Sequence, residues 1–62
     1  MAHSLKYQIG ESVRTIEAEI KKLLDLAATL REARDEEMAA AVSTQANKLL
    51  EAAVALRIAM SG

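Results

Sequence analysis

The one side chain whose ordinary pKa suits proton transfer near neutrality is His3. It stands two residues from the start of the sequence, where a mobile terminal side chain is expected. With no cysteine and no second histidine, neither a Ser-His-Asp set nor a Cys-His pair can be assembled. The densest group of carboxylates is Asp35-Glu36-Glu37. Neighbouring carboxylates at a helix start diverge, and a calcium ion needs about six or more oxygen ligands. Their expected work is to complement the positive end of a helix. Gly10 and Gly62 are the only glycines, so no glycine-rich phosphate loop exists. The reading is of a non-enzyme with no catalytic residue, no metal ligand, no cofactor and no small-molecule substrate.

The residues that remain are organised for packing. Met38 to Met60 contains sixteen apolar residues, eight of them alanine, and only three charges, Lys48, Glu51 and Arg57. The other fourteen charges precede it. Ala39, Val42, Ala46, Leu49, Ala53, Leu56 and Met60 recur at alternating gaps of three and four. That is a heptad seam with mostly alanine at one core position and a branched aliphatic at the other. Alanine on alternate layers admits a neighbouring helix at the short end of the usual ~8–10 Å spacing.

Upstream, Ile9, Val13, Ile16, Ile20, Leu23, Ala27 and Leu30 form a second seam of the same kind, widened by Leu24 and Leu26. Glu17 and Lys21 at i, i+4, followed by Lys21 and Asp25, read as a solvated outer face. Residues 4–9 carry two signals. Leu5, Tyr7 and Ile9 alternate with polar residues as in a strand, whereas Leu5, Ile9 and Val13 are spaced by four as in a helix. A helix starting near Ser4 is favoured, with Ser12 as the fallback cap.

The two seams are out of phase. Continuing the first would bury Arg34 and Glu37, so a turn is expected at about 33–35. Asp35 can cap the second helix, and Arg31 and Arg34 suit the negative end of the first. The expected fold is all-α: a single domain over residues 1–62, with helix 1 at about 4–33 and helix 2 at about 36–60. Joined by a tight turn, the helices form an antiparallel, coiled-coil-like hairpin. A hairpin of this length has little core of its own and is expected to complete a bundle by association.

A further apolar line, Leu50, Val54 and Ile58, runs off the second seam and has no place in it. With Leu24 of the first helix it is the candidate partner-binding set. The expected partner is another protein chain, either a second copy or a different protein. Net charge is −1 and Tyr7 is the sole aromatic, which gives no footprint for nucleic acid or an anionic membrane. No uninterrupted apolar run approaches the ~18 residues of a membrane span. The N-terminus lacks the basic-then-apolar order of a signal peptide, so a cytoplasmic location is expected.

The pattern resembles a known family. Val13-Arg14-Thr15-Ile16, with Ile20 and Leu24 following, looks like the first helix of the small helical-hairpin subunit of the type III secretion needle-chaperone complex. Lys48-Leu49-Leu50-Glu51-Ala52-Ala53-Val54-Ala55-Leu56 is similar to its second helix. That family's turn tends to contain glycine, where this chain has Ala33-Arg34-Asp35. The resemblance implies a cytoplasmic co-chaperone docked on a larger helical-repeat chaperone that holds the needle subunit unpolymerised. The apolar surplus of the second helix would then be the docking face.

Two alternatives remain at this level. One is a self-associating dimeric four-helix bundle with a regulatory or nucleic-acid-binding role. It includes a ribbon-helix-helix form with Leu5–Ile9 as the strand, and a plasmid-type RNA-binding bundle, which would need a basic face not found here. Another is a designed bundle, against which Gly10, Gln45 and Asn47 are untidy. The near-neutral charge predicts no useful nucleic-acid binding at physiological salt. Fluorescence titration with a DNA duplex checks this, and sub-micromolar binding that weakens steeply with salt would contradict it.

Overall fold

The computed structural model describes residues 4–61 of the chain. His3 lies outside the described residues, as does Gly62. Two helices make up the fold: α1, Leu5–Glu32, and α2, Glu36–Ser61. They pack side by side as an antiparallel hairpin, and no strand occurs among the described residues.

The start of α1 is set by Ser4. Its backbone is extended, with φ −72° and ψ 161°, and its Oγ accepts a hydrogen bond from the Tyr7 N–H at 3.1 Å. That bond satisfies one of the orphan donors of the first turn. Residues 5–9 are therefore helical, and the strand reading of their alternation is overturned. A lone strand would have no partner for its backbone, whereas a capped helix satisfies its own. The ribbon-helix-helix alternative loses its strand with it. Gly10 sits inside α1.

The turn is built without glycine. The Arg34 N–H donates to the Arg31 carbonyl at 3.1 Å, and the Asp35 N–H reaches back to the Leu30 carbonyl at 2.9 Å. These paired 5→2 and 6→1 bonds make a Schellman motif, whose left-handed position is usually glycine. Here Arg34 occupies it, at φ 69°. Asp35 then serves both helices. Its N–H closes α1, and its Oδ1 accepts from the Met38 N–H at 3.2 Å, capping α2. Glu36 and Glu37 fall in the positive first turn of α2, and Arg31 lies in the last turn of α1. Arg31 Nε and Glu36 Oε1 face each other across the bend at 3.7 Å.

Packing follows the heptads. The buried residues are Val13, Ile20 and Ala27 on α1, and Ala39, Ala46 and Ala53 on α2, each set spaced by seven. Aliphatic side chains of α1 meet the alanine stripe of α2, so the alternation of large and small residues draws the helices together. Ile16, Leu23 and Met60 pack at the margin of this line. The other predicted seam residues are less covered. Leu30 and Val42 are half-buried, while Ile9, Leu49 and Leu56 are about two-fifths exposed. The Cα trace measures 50 × 18 × 11 Å, a slab one helix thick.

Three substitutions test the local chemistry by urea denaturation at one fixed protein concentration. A non-glycine residue in the left-handed region costs ~1–2 kcal/mol, part of which glycine returns as unfolded-state entropy. Arg34→Gly should therefore stabilise by about 0.5–1 kcal/mol. Asp35→Ala removes the α2 cap and should cost about 1 kcal/mol. A Cβ added at Gly10 meets nothing within 4 Å. Gly10→Ala should accordingly stabilise by about 0.5–1 kcal/mol, the helix-propensity difference.

Candidate interaction surface

A slab of two helices has one internal line and two outer faces. At about 100° per residue, each helix places its non-seam residues to one side or the other of that line. Two contacts identify the sides. Glu17 of α1 and Arg57 of α2 meet on the first. Ile16 of α1 and Leu56 of α2 share a groove on the second.

The first side is polar and ion-paired. Arg57 Nε and Nη2 donate to Glu17 Oε2 and Oε1, both at 2.6 Å, a bidentate clamp between residues forty positions apart. The Arg57 hydrogen bonds come first in holding the Glu17 carboxyl below its ordinary 4.5, and they outweigh the opposing effect of partial desolvation. The same bonds raise the Arg57 guanidinium. This corrects the expected Glu17–Lys21 pairing. Among the described residues no ion pair joins Glu17 to Lys21, or Lys21 to Asp25. Glu17 lies on the rim beside α2 and Lys21 further round α1, and a planar guanidinium fits both carboxylate oxygens where an ammonium cannot. The remaining surface pairs, Arg14–Glu11 and Lys22–Glu19, are i, i+3 contacts within α1.

The line Leu50, Val54 and Ile58 lies on this first side, flanking Arg57, and Leu24 faces it from α1. All four are exposed, Ile58 most of all at 67% and Leu24 least at 38%. They border the clamp and do not form an apolar sheet free of charge.

The second side is apolar across both helices. Ile16, Leu23 and Leu30 rise from α1, and Val42, Leu49 and Leu56 from α2, all on the same face. At the open end of the hairpin this face deepens into a groove of about 470 Å³. Leu5, Ile9, Ile16 and Leu56 line it, Val13 forms its floor, and Gln8 and Ser12 are its polar residues. The sequence reading placed Ile9, Ile16, Leu23, Leu30, Val42, Leu49 and Leu56 in an internal seam and did not foresee the face they make. The signal was present in the two-residue heptad pattern itself, because a two-helix hairpin can enclose only one of the two positions.

No group of three or more His, Cys, Asp or Glu side chains that could hold a metal occurs among the described residues. Among the described residues no helix is long and apolar enough to cross a membrane. No protein-family model matches the chain, and neither does any curated protein or solved structure with which it was compared.

The clamp sets a pH dependence. Glu17 has a folded pKa below its unfolded value, so its contribution is present above about pH 4.5 and is lost as pH falls through the lower folded value. The stability difference between the parent and Glu17→Gln should therefore shrink on acidification below pH 4.5. Urea denaturation across that range measures it. A difference that stays constant would show that the clamp adds nothing to stability.

Proposed function

We propose that this chain is a non-enzymatic protein–protein interaction module, a helical hairpin whose folding is completed by helices of another chain. The observation that carries this reading is the slab itself. Among the described residues six side chains are buried along its single internal line, and three of them are alanine on α2. Eleven large apolar residues among those described remain exposed, distributed over both helices. Exposed apolar surface, where it is contiguous, marks interaction sites in small proteins.

The resemblance to the small subunit of the type III secretion needle-chaperone complex supports a co-chaperone role as the specific form of this reading. Its partner would be a larger helical-repeat chaperone, with Leu24, Leu50, Val54 and Ile58 as contact residues. Absence of a catalytic constellation in the sequence agrees with binding in place of chemistry.

The test is thermal unfolding followed by circular dichroism at roughly 5 and 200 µM chain, where mass action raises the midpoint of a protein stabilised by association. A midpoint that rises with concentration, or that rises only when a helical-repeat chaperone is added, supports the module. A monomer that unfolds cooperatively at one temperature throughout would overturn it.

A further inference from the structure

We propose that the apolar face bearing Ile16, Leu23, Leu49 and Leu56 is the dimerisation surface of this chain, and that its occupant is a second copy of the same hairpin. The inference rests on the reading of the chain as an interaction module and assigns a second copy to the apolar face, opposite the side that carries Leu24, Leu50, Val54 and Ile58. Three observations carry it.

The first is area. The chain exposes 4743 Å². A compact monomer of 6.7 kDa exposes ~3,900 Å². The surplus of roughly 800 Å² is about what each partner buries in a stable interface of standard size. A slab one helix thick becomes a two-layer bundle when one copy covers one face of another. That is the smallest assembly in which both positions of each heptad are enclosed.

The second is charge. Within about a quarter turn of the internal line on this side, neither helix carries a charged residue. The corresponding quarter turn on the other side holds Lys6, Glu17 and Arg31 of α1 with Glu36 and Arg57 of α2. A two-fold interface sets a surface against itself, so a charged face brings like charges together unless they are staggered. The uncharged face escapes that penalty. The other would in addition enclose or break the Glu17–Arg57 clamp, whose geometry is already satisfied within one chain.

The third is length. Half-buried aliphatic residues run along this face from the groove at the open end, through Leu23 and Leu49, to Leu30 and Val42 near the turn. A partner helix pair as long as the hairpin covers the whole ladder, and a second copy has that length by construction. It would also bring its own ladder of the same residues to fill the groove beside Leu5 and Ile9.

The experiment uses the intact chain, whose lack of cysteine permits clean single-site labelling. Sedimentation equilibrium of the parent should give a mass twice 6.7 kDa. Leu49→Cys and Val54→Cys are then prepared as conservative variants that keep the fold, and their alkylation rates are compared at dilute and dimeric concentrations. Leu49→Cys should react at least about tenfold more slowly in the dimer, as expected when opening of the interface limits access, while Val54→Cys should be little changed. Leu49→Glu should sediment as a monomer, and Val54→Asp as a dimer. Protection at Val54 without protection at Leu49 overturns the face while leaving self-association intact. A monomeric parent that gains helix only with another protein overturns the second copy but not the interaction module. A monomeric parent with cooperative, concentration-independent unfolding overturns both.

Discussion

Two cylinders in contact share one line. Everything else about this chain follows from that constraint. A heptad seam offers two kinds of inward position, and in a bundle of three or more helices both are enclosed. Here only one is. Val13, Ile20 and Ala27 against Ala39, Ala46 and Ala53 take the shared line, and the alternate positions are left on its margin. The alanine stripe makes the helices approach closely, which tightens the line and narrows it further. Close approach and incomplete enclosure are thus the same fact seen from the inside and the outside.

The polar features are arranged around that line. Ser4 and Asp35 satisfy helix-start donors, and the Schellman bonds satisfy carbonyls at the end of α1. The Glu17–Arg57 clamp then ties the open half of the hairpin, far from the turn. It fixes which of the two faces is polar. Its contribution to the stability of the hairpin is small, because exposed ion pairs contribute little to folding.

The hairpin was legible in the sequence because its signals are local. Out-of-phase seams, a cap at Asp35 and charges suited to each helix end can all be read within a turn or two. The ambiguity at Leu5–Ile9 was also local, and Ser4 decides it. What could not be read was long-range. Glu17 has a plausible partner four residues away in Lys21, and nothing in the pattern points to Arg57, forty positions on. The left-handed residue was hidden because Arg34 stands where glycine would have announced it. The division of the seam into a covered and an uncovered half depends on the number of helices that pack together, which a single chain's periodicity does not state. Leu49 and Leu56 accordingly lie on the margin of the shared line, and Leu24, Leu50, Val54 and Ile58 lie beside a charge clamp that the spacing gave no sign of.

The economy of the turn ties the phase of one helix to the other. Asp35 belongs to both, and no slack residue separates the end of α1 from the start of α2. An insertion of one residue there would rotate α2 by about 100° about its own axis. The alanine stripe would swing away from α1, and Arg57 would leave the reach of Glu17. The geometry of the bend thus tolerates insertion or deletion poorly, although bends are ordinarily permissive. Turns added beyond the open end would instead extend both faces without altering their relative phase.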